Sequence, residues 1–87
     1  MSDVATYQQQ LGECFHGSQD PNVKQAAETA NQYTEMLKAG QITKEEYVEL
    51  MQDVARTNEV NKSMGHFEAL EYMNVAINGL ITLAKLA

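Results

Sequence analysis

"MLKAGQITKEEYVEL", residues 36–50, decides the fold of this 87-residue chain. Gly40 stands three residues before Thr43, which is followed by Glu46 and Tyr47. A glycine there supplies the left-handed conformation that ends a helix without a Cβ clash. Thr43 and Glu46 match a capping box, in which the hydroxyl accepts from the N–H three residues on and the carboxylate reaches back. Ile42 and Tyr47 occupy the positions of a hydrophobic staple. Stop, turn and start thus fall within about four residues, a connection short enough to make the flanking helices antiparallel neighbours. Gly40, Ile42, Thr43, Glu46 and Tyr47 are the predicted turn residues of an αα-hairpin.

Outward from this turn, apolar residues recur at helical spacing on both sides. Upstream, residues 21–39 carry Val23, Ala26, Ala27, Ala30, Tyr33 and Leu37 on one face. Asp20 before Pro21 is a cap before a first-turn proline, whose missing N–H costs nothing there. Three alanines on that face call for a partner helix at close range. Downstream, residues 44–61 carry Tyr47, Leu50, Met51, Val54, Ala55 and Asn58. A helix over residues 3–16 is predicted from Val4, Tyr7, Leu11, Cys14 and Phe15, with Ser2 or Asp3 to start it and Gly17 to end it. Gly12 inside it costs about 1 kcal/mol relative to alanine.

A last helix, residues 66–86, follows a break expected near Asn61–Gly65, where Ser63 also stands. It presents Phe67, Leu70, Met73, Ala76, Ile77, Leu80, Ile81 and Ala84, with Leu83 and Leu86 widening the stripe. A helix apolar most of the way round is buried on several sides. The expectation is a single all-α domain, residues 1–87, with about four helices around a central antiparallel αα-hairpin. No strand pattern, low-complexity tract or repeat is visible.

A chain this short buries only about 60–65% of the surface its unfolded form exposes, so burial against a second subunit is attractive. Tyr72, Met73, Ile77, Leu80, Ile81 and Leu83 are the residues expected in such an interface. Asn74 and Asn78, four apart beside that stripe, are either surface residues or buried amides that fix register. Four internal methionines, Met36, Met51, Met64 and Met73, suit either a core or an adaptable interface.

The net charge is −6, from twelve acids and six bases. Lys24, Lys38, Lys44, Arg56, Lys62 and Lys85 are scattered, whereas phosphate binding needs clustered cations. A nucleic-acid partner is therefore not expected. The N-terminus "MSDVATYQQQ" has neither a basic segment nor an apolar run, so no secretory signal is expected. "YMNVAINGLITLAKLA" has about sixteen residues against the roughly twenty of a membrane span, and Asn74, Asn78 and Lys85 interrupt it. It reads as a buried helix. Cys14 is the only cysteine, which rules out an intrachain disulfide and suits a reducing compartment.

Three constellations could carry chemistry. Glu13 and His16 have the E-x-x-H spacing of bundle di-iron sites, but such sites need two copies and two further carboxylates. A helix-terminal histidine favoured by the macrodipole explains His16 more simply. Cys14 and His16, two apart on a helix, point about 160° from each other, and Cys14 shares the apolar face with Leu11. Glu45, Glu46 and Glu49 complement the N-terminus of their helix. No phosphate loop, zinc-type cysteine spacing or hydrolase elbow occurs. No catalytic, metal or cofactor residue is assigned, and the chain is not expected to be an enzyme.

Leu37, Gly40, Ile42, Thr43, Glu45, Glu46 and Tyr47 resemble the short helical hairpin called the SHOCT domain, over roughly residues 31–55. Leu50 and Met51 stand where that family carries basic residues, and its hairpin usually lies at a C-terminus. The resemblance implies an oligomerisation or docking module. Size, acidity and lack of chemistry are also similar to small accessory or virion proteins of bacteriophages. The expected function is that of a non-enzymatic structural or interaction protein, a self-associating helical component of an assembly such as a phage particle, cytoplasmic or virion-associated. The alternative is a small acidic inhibitor or regulator that occupies a basic site on another protein.

Overall fold

Four α-helices make up almost all of the described residues, 3–62 and 67–86 of a computed structural model. They are α1 (Asp3–Gly17), α2 (Pro21–Lys38), α3 (Lys44–Lys62) and α4 (Phe67–Leu86). The roles expected of Ser2, Ser63 and Gly65, and of the Phe67 side chain, lie outside the described residues.

Each start and stop has a local cause. Asp20 Oδ1 accepts from the N–H groups of Asn22 and Val23 at 2.7 and 3.4 Å, ahead of Pro21. At the far end of α2 the Gly40 N–H donates to the Leu37 carbonyl at 3.1 Å and the Gln41 N–H to the Met36 carbonyl at 2.9 Å. Together with a φ of 75° at Gly40, these two bonds form a Schellman motif. Three residues on, the Glu46 N–H donates to Thr43 Oγ1 at 3.1 Å and the Thr43 N–H to Glu46 Oε1 at 2.9 Å. Both halves of the capping box are made, and a cap of this kind contributes about 1 kcal/mol.

The helices form a ring of antiparallel neighbours. Phe15 lies near Lys24 and Gln8 near Asn31, so residue numbers rise on α1 as they fall on α2 inward from their loop. Glu13 meets Tyr72 and Tyr7 meets Gly79 across α1 and α4. Lys62 meets Glu71 and Asn58 meets Asn74 across α3 and α4, so the chain reverses between them. The α2–α3 hairpin is one side of this ring, and the α3–α4 seam is the most extensive. Helices α2 and α4 approach across one diagonal, while α1 and α3 stay apart across the other.

Leu11, Val23, Ala27, Ala30, Met51, Leu70, Met73 and Ile77 fill the middle, each at most 1% exposed. Of the three alanines on the α2 face, Ala27 and Ala30 are buried in this core and Ala26 is half-buried against it. Two polar pairs are also inside. Thr34 Oγ1 donates to the Ala30 carbonyl at 2.9 Å, so at 2.7 Å it accepts from the Tyr47 hydroxyl. This relay fixes α2 against α3. Asn74 Nδ2 donates to the Ala55 carbonyl and to Glu59 Oε2 at 3.2 and 2.9 Å, which turns its Oδ1 toward Asn58 Nδ2 at 2.9 Å. The amide of Asn58 is thereby oriented, and its own Oδ1 is buried without a hydrogen bond.

Candidate functional site

Helix α4 carries two stripes, both at spacings of three and four. The inner stripe, Leu70, Met73, Ile77, Leu80 and Ala84, lies in the core, none of it more than 6% exposed. The outer stripe runs Tyr72, Val75, Gly79, Thr82, Leu86. Val60, Tyr72, Val75 and Leu86 are the exposed large hydrophobics of the described residues, and three of them stand on this one line.

The six residues expected at an interface divide between the stripes. Met73, Ile77, Leu80 and Ile81 are 0, 0, 2 and 6% exposed and belong to the chain's own core. Three neighbouring helices, α1, α2 and α3, cover what a single helix wheel presents as surplus. Leu83 is half-buried and lines a small apolar pocket of about 120 Å³ with Val4, Leu37 and Leu80. Tyr72 is exposed, its hydroxyl donating to Glu13 Oε1 of α1 at 2.8 Å. That carboxylate beside it raises the phenol's pKa above its ordinary value.

Helix α1 lies along the outer stripe. A Cβ on Gly79 would collide with the ring of Tyr7, so the ring rests directly on the backbone of α4. This contact explains a glycine in the middle of a helix, where it otherwise costs about 1 kcal/mol. It also sets the register of α1 on α4. At that register two uncharged runs coincide, residues 4–12 of α1 and 72–84 of α4, neither of which contains an acid or a base. Ala5, Thr6, Gln9, Tyr72, Val75, Asn78 and Thr82 are their exposed members.

The other side of the bundle is laid out differently. Helices α2 and α3 carry most of the charge, and several acids have a base one turn away. Lys38 pairs with Glu35 at 3.2 Å, Lys62 with Glu59 at 3.2 Å, and Arg56 with Asp53. Gln8 donates to Glu35 and Asn74 to Glu59, and these hydrogen bonds, ahead of the lysines, hold both carboxyls below their ordinary pKa.

The residues of the possible chemical constellations are dispersed. Cys14 is buried with its thiol directed at the Ala69 carbonyl, and desolvation raises its pKa, assisted by Glu13. His16 is exposed and packs edge-on to Phe15. Glu13 is engaged by Tyr72. Among the described residues no three His, Cys, Asp or Glu side chains converge on a metal-sized space. An open groove of about 530 Å³ lies between α1 and α2 over Leu11, Gly12 and Ala27. No nucleophile and base lie together along it. No helix among the described residues is long and apolar enough to cross a membrane.

Sequence reasoning missed the roles of Val75, Thr82, Gly79 and Tyr7. A signal was present, since the outer stripe keeps regular spacing, but a glycine and a threonine within it hide the pattern from a search for apolar residues. Comparison of the chain with protein-family models, with curated proteins and with solved structures found no match.

Proposed function

We propose that this protein is a non-enzymatic structural component that associates with further copies of itself through the uncharged α1–α4 face. One observation carries the reading: a chain of net charge −6 aligns two charge-free runs side by side and places there Tyr72 and Val75, two of the four exposed large hydrophobics among the described residues. Like-charged copies repel over a Debye length of about 8–10 Å at ordinary salt. An uncharged face is where a second copy approaches at least cost, and its apolar side chains gain by being covered.

The area bounds the strength. Thirteen residues of α4 span about 20 Å and two helices are about 20 Å wide, so the face offers about 400 Å² per copy. Standard stable interfaces bury about 800 Å² per partner. Association through this face is therefore weak in solution and takes hold at high local concentration, as in an assembly with many copies. A phage particle is such a setting, the one suggested by size and acidity, and the SHOCT-like turn fits an oligomerising module. The alternative of an acidic inhibitor is less well supported, because Glu35, Asp53 and Glu59 are each beside a base and form no unopposed negative stripe.

Sedimentation from micromolar to millimolar concentration, at low and at raised salt, tests the proposal. The expected result is a mass that rises with concentration and is not reduced by salt, and that Val75→Asp returns to a folded monomer. A single subunit at millimolar concentration in both salts would end it.

A further inference from the structure

We infer that two copies meet through this face about a two-fold axis, α4 antiparallel to α4 of the second copy and the axis level with Asn78 and Gly79. This rests on the self-association just proposed and adds the identity of the contact and its direction.

The first argument is the symmetry of the face itself. Residues 72–84 are centred on Asn78 and residues 4–12 on Gln8. The ring of Tyr7 on Gly79 puts those two centres at the same height in the bundle. A two-fold axis at that height, lying in the plane of the face, superposes uncharged run on uncharged run over the whole length of both runs. Any slide along the helices brings charged ends over the uncharged centre. Tyr7 of the same chain covers Gly79, and the exposed residues along that line, Tyr72, Val75, Thr82 and Leu86, are the ones left to face a second helix. In the antiparallel arrangement Val75 lies opposite Thr82 of the second copy.

The second argument is electrostatic. Three acids, Glu13, Glu68 and Glu71, mark one end of the face, and all three are exposed. At the other end Lys85 lines a pocket with Lys44, Glu45 and Glu49 of α3, two bases and two acids that balance. Two copies packed in the same direction would set Glu13, Glu68 and Glu71, the last with Lys62 beside it, against the same three acids. Reversing one copy sets each acidic end against a neutral end that contains a lysine. Like charges across an interface suppress a wrong arrangement more effectively than opposite charges strengthen a right one. The α4 dipoles also oppose in the reversed arrangement. Because the axis makes the contact isologous, it closes at two copies and does not propagate as a fibre. Larger assembly then requires a different surface.

Single-cysteine variants read the direction. In a Cys14→Ser background, Val75→Cys and Thr82→Cys are prepared separately, oxidised alone and as an equal mixture, and examined for covalent dimers. Positions 75 and 82 lie about 10 Å apart along one helix, so the two arrangements give different products. The antiparallel contact gives a mixed Val75→Cys/Thr82→Cys dimer in the mixture and little product from either variant alone. A same-direction contact gives each variant alone its own dimer at least as fast as the mixed one, and that result overturns the inference. So does absence of any disulfide from a preparation that sediments as a dimer. Sedimentation of the reduced single-cysteine proteins keeps the two claims separate. A monomer there defeats the self-association reading, whereas a dimer with the wrong crosslinks defeats only the geometry.

Discussion

The α2–α3 side of the bundle and the α1–α4 side are held together by different means. Across α2 and α3 the chain specifies the joint locally. A Schellman stop, a capping box and a turn of a few residues bring the helices together, and the Tyr47–Thr34–Ala30 relay locks them. Across α1 and α4, helices at opposite ends of the chain meet with no turn to guide them, and the register comes from the Tyr7 ring on Gly79 with the Tyr72–Glu13 hydrogen bond beside it. The first side turns its charges outward, three of its acids each with a base one turn away. The second keeps charge out of its middle altogether. Local chemistry thus suffices for the joint between sequence neighbours, while the joint between the termini depends on shape, and its shape leaves an uncharged surface exposed.

The largest expected effects come from separating the two stripes of α4. Ile77 is fully buried and Val75, two residues away, is 58% exposed. Ile77→Ala should cost about 2–5 kcal/mol of folding stability, the range for emptying a packed core position. Val75→Ala should change it by less than about 0.5 kcal/mol, as exposed substitutions do. Urea unfolding of dilute monomer checks both. Comparable losses at the two positions would mean that the outer stripe is not outside.

What was readable in advance follows the same division. Gly40, Thr43, Glu46, Asp20 and Pro21 act on backbone groups within a few residues, so their roles are visible in a short window of sequence. The four helices and the inner positions Leu11, Val23, Ala27, Met51 and Leu70 follow from periodicity, which is also local. The partners of Thr34 and Asn58 were not readable, because a polar residue shows no sign of which distant group satisfies it. Nor was the division of α4 into Ile77 inside and Val75 outside. A helix wheel gives the width of an apolar stripe but not the number of neighbours that cover it.

Next in size is a pair of glycine substitutions expected to have opposite signs. A Cβ at Gly79 collides with the Tyr7 ring, while one at Gly12 meets nothing within 4 Å. Gly79→Ala must displace the ring and should cost about 1–3 kcal/mol as overpacking does, reduced by the better helix propensity of alanine. Gly12→Ala collects that propensity alone and should stabilise by about 0.5–1 kcal/mol. Adding Tyr7→Ser to Gly79→Ala should make the second change nearly neutral, which identifies the ring as the cause. On the opposite side, Tyr47→Phe tests the relay. Thr34 keeps its bond to Ala30, so only one buried hydrogen bond is lost, and thermal unfolding should register about 1 kcal/mol.

The smallest effect is acidic, and it joins the two sides. Glu35 on α2 accepts from Gln8 of α1, and Glu59 on α3 accepts from Asn74 of α4, so each carboxylate ties a charge-rich helix to the uncharged run of another. Both carboxyls are held below their ordinary pKa, first by these amides and second by Lys38 and Lys62. A carboxyl with a lower pKa in the folded state than in the unfolded state binds fewer protons when folded. Its contribution is therefore complete above the ordinary carboxylate range and disappears as the pH falls through the depressed values. Urea midpoints should be level near neutrality and decline in acid. Because both groups face solvent, raised salt should weaken the lysine part of the effect. Glu59→Gln should lower stability at neutral pH and flatten the acid decline, since the amide cannot lose a charge. A decline unchanged by Glu59→Gln and Glu35→Gln together would place the acid sensitivity elsewhere, and the α1–α2 and α3–α4 seams would then owe their cohesion to packing alone.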